Sequence, residues 1–212
     1  MTTILILILL FSSDDNPPGT IKVKGHFIDR TEIQNIHWLE YAHLRGRERD
    51  SSEPKNLLPD SSNSWFPLSD NRFKPIVLIT YEQAMDYCAW RSRAVSAKIG
   101  RKVTYRLPTP TEWKEIAEEI MKSDLKQIEK ELEAAKKMIK KDSTQYNLTG
   151  IEKPKSRVHN MFDNVSEMTL ENGIAMGSNN YDLAELNTNL TRLVKYNSPN
   201  AYLGFRCVAE IE

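Results

Sequence analysis

Cysteine is nearly missing from this chain: 212 residues contain 2. That is too few for a disulfide framework, although two can still make one bridge, and no C-x-x-C pair suggests a zinc or dithiol site. Glycine is scarce too, at 8 residues, and none builds the loop that cradles a phosphate. There is no G-x-S-x-G nucleophile elbow and no H-E-x-x-H metal helix, and no pair of carboxylates stands out by spacing. An excess of one charge is also lacking, since 29 Lys and Arg offset 29 Asp and Glu. This removes any bulk attraction to nucleic acid or anionic lipid, and no basic stripe interleaved with aromatics replaces it.

What is present supports a core. Hydrophobic residues make up 40% of the chain, and the length suits one sizeable domain or two small ones. Ile4–Phe11 (ILILILLF) is purely aliphatic. It falls well short of the roughly 20 residues needed to span a bilayer. Ser12 to Pro18 follow as a polar, proline-containing linker. Such a run followed by such a linker has the shape of a secretory leader, although the usual basic start is missing; a buried edge strand is the other reading. We expect residues 1–19 to be leader and linker, the protein to be exported, and any membrane contact to come only through an uncleaved leader. Three N-x-S/T sequons, at Asn147, Asn164 and Asn189, add little in a chain this rich in asparagine.

Further on, Thr20–Phe27 alternates apolar and polar residues and predicts one strand. Thr31 with Gln34 matches a capping box, with Ile33, Ile36, Leu39 and Ala42 facing a core. His37 and His43 are six apart on that helix and do not share a face, so both read as surface or partly packed residues rather than metal ligands. Gly46–Arg72 is irregular, anchored by Trp65 and Phe66. Ile76–Thr80 predicts a buried strand, and Thr80 with Gln83 forms a second capping box, whose helix aligns Ala84, Tyr87, Cys88 and Arg91. After a strand at Val103–Leu107, Thr109, Pro110 and Glu112 supply three helix-start signals, with Trp113, Ile116, Ala117 and Ile120 on the apolar face. Charge of both signs dominates from Lys114 to Asp142, with Glu118–Lys122 as a favourable i,i+4 pair. There Met121, Leu125, Ile128, Leu132, Ala135 and Ile139 form a heptad-like seam. It reads either as an amphipathic helix lying on its own domain or as a docking surface for a protein partner. Short strands are expected at Gly173–Gly177 and Leu203–Val208, with Gly204 in close backbone contact.

The stretch Arg157–Thr169 (RVHNMFDNVSEMT) sets Asn160, Asp163, Asn164, Ser166 and Glu167 among Met161, Phe162, Val165 and Met168. This is a structured loop pinned to a core. Its side-chain oxygens either satisfy local turns or face a hard cation such as calcium, which takes carboxylate, amide and carbonyl oxygens.

Four blocks occur in order: FIDRTEIQNIHWLEY, ITYEQAMDYCAW leading to YRLPTPTEW, NMFDNVSEMT, and LGFRCV. Together they resemble the formylglycine-generating enzyme, or sulfatase-modifying factor, family. The tail of the third block, Ser166–Thr169, is similar to the branch holding gliding-motility and secretion-associated lipoproteins. The resemblance implies an α+β fold related to C-type lectins. We expect a single domain over 20–212, much of it irregular, with an inserted charged helix at about 114–142. The resemblance further implies a disulfide between Cys88 and Cys207. It also implies a structural calcium ion held by the side chains of Asn160 and Glu167 and the carbonyls of Asp163 and Val165. Asp163 stands where the family has glycine and Ser166 where it has tryptophan, so the turn at Asp163 must be left-handed without glycine.

The copper-dependent members of the family bind Cu(I) through two cysteines upstream of G-F-R-C, and soft thiolates are what that ion needs. The corresponding stretch here, Tyr181–Ala201, has none, so copper is not expected. The expectation is an exported, non-catalytic binding or assembly module. The alternative is a metal-dependent oxidoreductase acting on a protein or small thiol substrate.

Overall fold

The computed structural model describes residues 16–45, 57, 71–141, 154–179 and 191–212, with side chains of the long helix followed to Lys130 and at Glu133 and Lys137 beyond it. Ile4–Phe11, Trp65, Phe66, residues 181–190 and the sequons at Asn147 and Asn189 lie outside the described residues.

Two small sheets and three helices make up the described fold, an α+β arrangement. The first sheet has the order β1 (Thr20–Val23), β2 (His26–Asp29), β8 (Val208–Ile211), β3 (Val103–Arg106). Thr20–Phe27, expected as one strand, is a hairpin: β1 (Thr20–Val23) pairs antiparallel with β2 (His26–Asp29). Lys24 and Gly25 between them have φ of +47° and +90°. Two successive left-handed residues reverse the chain with the twist a hairpin needs. Strand β8 (Val208–Ile211) lies inside the sheet, flanked antiparallel by β2 and β3 (Val103–Arg106).

Two apolar clusters pack on opposite faces of this sheet. Tyr105, Cys207 and Ala209 belong to one, and Ile21, Ile28 and Val208 to the other. Neighbouring residues Val208 and Ala209 of one strand fall on different sides, as the two-residue period of a strand requires.

Helix α1 (Asn35–Arg45) starts later than expected. Thr31 Oγ1 donates to the Glu32 carbonyl at 2.9 Å instead of capping, and Gln34 bridges to Pro75. Its buried face carries Asn35, Trp38 and Tyr41, while Ile36 is 39% exposed. The aromatic rings decide this rotation. Trp38 stacks on Tyr87 at 5.7 Å and meets Tyr41 edge-on at 4.9 Å, contacts that add to area burial.

Helix α2 (Tyr81–Ile99) has the expected capping box at Thr80 and Gln83, and ends on Gly100 in the left-handed region. The segment before it, Ile76–Thr80, is buried at Ile76, Val77 and Ile79 but is no strand. Leu78 is left-handed at φ +62°, and its amide bonds the Asn200 carbonyl while that of Ile76 bonds Ile33. These backbone groups reach loops on two sides, so no ladder forms.

Helix α3 (Pro110–Lys141) begins where the sequence signals place it, with Glu112 and Thr109 exchanging cap bonds at 2.8 and 3.1 Å. Trp113, Ile116, Ala117 and Ile120 are buried, and the same face continues through Asp124 and Ile128. The Asp124 carboxylate accepts the backbone N–H groups of Lys155 and Ser156 at 3.0 and 3.2 Å. The seam therefore splits. Ile128 is buried in the domain and Met121 packs against the same cluster, whereas Leu125 is 45% exposed. The side chains of Leu132, Ala135 and Ile139 lie outside the described residues. Lys122 pairs with Glu119 at 2.9 Å rather than with Glu118. No described helix is long and apolar enough to cross a membrane.

The second sheet has the order β6-β5-β4-β7, from Leu193–Lys195, Ile174–Met176, Ser166–Met168 and Leu203–Gly204. Strand β4 pairs parallel with β7, and the other pairs are antiparallel. Leu203–Val208, expected as one strand, is thus shared: Leu203 and Gly204 pair in the second sheet and Val208 in the first. Phe205, Arg206 and Cys207 carry the chain from one sheet to the other.

Candidate functional site

Arg206 is fully buried at this crossing, at 0% exposure. A guanidinium there needs partners on every side, because burying an unpaired charge is costly. Its Nε donates to both carboxylate oxygens of Glu167 at 2.7 Å, and Nη2 joins the same ion pair. Nη1 donates to the Asp29 carbonyl at 3.2 Å, and Nη2 to the carbonyls of His159 and Asn160 at 3.0 and 3.3 Å. The Glu32 carboxylate lies 4.0 Å away. Trp113 Nε1 completes the shell of Glu167 by donating to Oε2 at 2.7 Å.

Glu32 holds the Arg157–Thr169 loop from the other side. Its Oε2 accepts from Asn160 Nδ2 at 3.1 Å and its Oε1 from Asn164 Nδ2 at 2.9 Å. Both asparagines are left-handed, at φ +55° and +69°, a conformation asparagine tolerates better than most residues. Asp163 is not among the left-handed residues; the turn expected there falls on its neighbour Asn164. Met161, Phe162, Val165 and Met168 are buried beneath, so the loop is pinned to a core. Ser166, in place of a large ring, is also buried. It donates to the Gly177 carbonyl at 3.1 Å and accepts from Asn179 at 3.0 Å.

Burial raises both buried carboxyls of this network. Glu32 is pushed up to about 8, with Arg206 pulling against the shift. Glu167 moves the same way for the same reason, opposed by Arg206 and by the Trp113 bond. One guanidinium faces two carboxyls, so the group is neutral when Glu32 holds a proton. Asp29 links this network to a second ion pair. Its side chain takes both arms of the Arg91 fork at 2.7 Å and the Cys207 N–H at 2.8 Å.

These pairings test the proposed calcium ligands. Glu167 has no oxygen left uncommitted, since one takes Arg206 and the other Trp113 as well. Asn160, expected to offer its side-chain oxygen, donates its side-chain N–H to Glu32 at 3.1 Å. Val165 is buried against Gly204, and Asp163 is half-buried. A calcium ion takes six to eight oxygens; here the carboxylate that would anchor it is saturated and a fixed positive charge lies against it. Glu167, the one carboxylate of the expected set, is therefore not available to anchor the ion.

Cys88 and Cys207 face each other with sulfurs 3.1 Å apart, both buried. Burial pushes the Cys207 thiol well above its ordinary value. Neither cysteine lines the open groove beside the second sheet. That groove, about 430 Å³, is lined by Ser166, Asn179, Arg192, Lys195, Tyr196, Asn197, Ser198 and Asn200 among others.

The sulfatase-modifying factor enzyme 1-like domain pattern matches residues 9–211 of this chain. The chain belongs to that family. Among solved structures, PvdO from Pseudomonas aeruginosa is similar over 87% of this chain and 80% of its own, with 14% identity and a TM-score of 0.50. CarF is similar over 88% of this chain and 87% of its own, with 15% identity and a TM-score of 0.44. No curated protein sequence matches. This sulfatase-modifying-factor-like chain thus has the family's fold, divergent in sequence. The described segment 191–201 contributes Arg192, Val194 to Ser198 and Asn200 to one wall of the groove.

The sequence reading singled out Glu167 and Asn160 but not their main partners, Arg206, Glu32 and Trp113. One signal was available: an arginine inside the apolar run LGFRCV has to be paired wherever that run is buried.

Proposed function

We propose that this protein is an exported, non-catalytic binding or assembly module built on the sulfatase-modifying-factor fold. One observation carries the reading: the chain's only two cysteines, Cys88 and Cys207, are buried against each other. No thiolate is left to bind Cu(I) in the groove, and the groove's oxygen and amide groups are poor ligands for a soft ion. They suit a ligand recognised through neutral hydrogen bonds, with Arg192 and Lys195 at the same wall. Leu125, exposed on α3, is the described seam residue still open to a protein partner. Export is supported by the aliphatic Ile4–Phe11 run and by two thiols placed to meet in an oxidising compartment.

The test is an aerobic assay of the purified protein with Cu(I) and a cysteine-containing sulfatase-type peptide. No conversion of the cysteine is expected. Turnover would overturn the non-catalytic reading, and would favour an oxidoreductase using other ligands. Cell fractionation of a C-terminally tagged chain, with the mature N-terminus read by mass, tests export separately.

A further inference from the structure

We infer that the guanidinium of Arg206 is the resident cation of the Arg157–Thr169 loop, held in a cage of oxygens, so that the loop keeps its shape without a divalent ion. The cage is drawn from three separate segments. The Asp29–Glu32 turn supplies the Asp29 carbonyl and the Glu32 carboxylate, the loop supplies the carbonyls of His159 and Asn160, and β4 supplies both oxygens of Glu167. Carboxylates and carbonyls converging from several segments are what a hard cation selects. Here the planar fork of an arginine meets them with directed N–H bonds.

Charge balance points the same way. Asp29 is paired with Arg91, and Glu167 with Arg206. That leaves Glu32, both of whose oxygens already accept from asparagine amides. An ion placed on Glu167 would also sit beside a buried cation that cannot be deprotonated. The guanidinium has the further advantage of being covalently attached. It arrives with the chain segment that crosses between the sheets, so placing it and forming that crossing are one event.

The experiment compares thermal melting of the intact protein in chelator and in millimolar calcium, with metal content measured after exhaustive dialysis. The expected result is the same midpoint in both and no retained calcium. A midpoint several degrees higher in calcium, or one calcium per chain after dialysis, would overturn the inference. Glu167→Gln gives a second readout, because either cation would need that carboxylate. If Arg206 is the partner, the stability gap between wild type and variant is the same in chelator and in calcium. If calcium is, the gap opens only when calcium is present. Should Glu167→Gln fail to fold, the wild-type comparison decides alone.

Discussion

Trp113 Nε1 donates to Glu167 Oε2 at 2.7 Å across 54 positions of sequence, with both residues buried. The first turn of α3 and strand β4 are thereby tied to one carboxylate. Trp113→Phe keeps most of the ring and removes the donor. Because the acceptor shares the charge of an ion pair, the loss should be about 1.5–3 kcal/mol. Urea unfolding of the two proteins measures it; an unchanged midpoint would mean that the bond contributes nothing net.

Stability should fall as pH rises through the neutral range. Glu32 in the fold titrates at about 8, against an ordinary value of 4.5. Its folded pKa is raised, so its contribution is complete below the unfolded value and is lost as pH climbs through the folded one. The slope from this group is at most about 1.4 kcal/mol per pH unit. On the acid side the sign reverses. The Arg106 fork holds Glu112 down at about 2, so that contribution is present above 4.5 and disappears as pH drops toward 2. Unfolding free energies at a series of pH values should trace both limbs, and Glu32→Gln should flatten the upper one.

Cys88 and Cys207 should oxidise to a bridge in oxidised glutathione. Their sulfurs already face each other, and the two positions are 119 residues apart. Chain entropy gives about 4.7 kcal/mol for a loop of about a hundred residues, with the measured effect often smaller. Intact mass should drop by two hydrogens and return on reduction. Identical masses in both conditions would reject the bridge.

Gly204→Ala should destabilise by about 1–3 kcal/mol through overpacking. An added Cβ would stand 2.8 Å from Val165 Cγ2 and 3.2 Å from the Ile76 carbonyl. The second neighbour is backbone and cannot rotate away. A thermal midpoint within error of wild type would show that this junction has room to relax.

Contacts made within a few residues were legible from sequence. The caps at Thr80 and Thr109 formed as expected, because their donors and acceptors are three residues apart. The same motif at Thr31 did not cap, because Glu32 turns inward to Asn160 and Asn164, 128 and 132 positions away. No local pattern reports such partners. The loop's burial could be read from its four apolar residues. The partner of its carboxylate could not be read locally, because Arg206 stands 39 positions beyond Glu167. Of the described seam residues on α3, Met121 and Ile128 pack on the domain and Leu125 does not, because Asp124 holds the buried position between Ile120 and Ile128.

Strand β8 lies between β2 and β3 in the first sheet. The sheet therefore cannot be completed by the N-terminal half of the chain, however much of it has been made. Until Val208–Ile211 arrive, β2 and β3 each present an open edge, and Arg91 and Asp29 wait beside a gap that Cys207 will fill. Pairing at such long range is slow and leaves edges open to other chains. A shortened chain lacking these few residues should aggregate rather than fold partially, and a chain crossing a membrane unfolded would assume this architecture only on the far side.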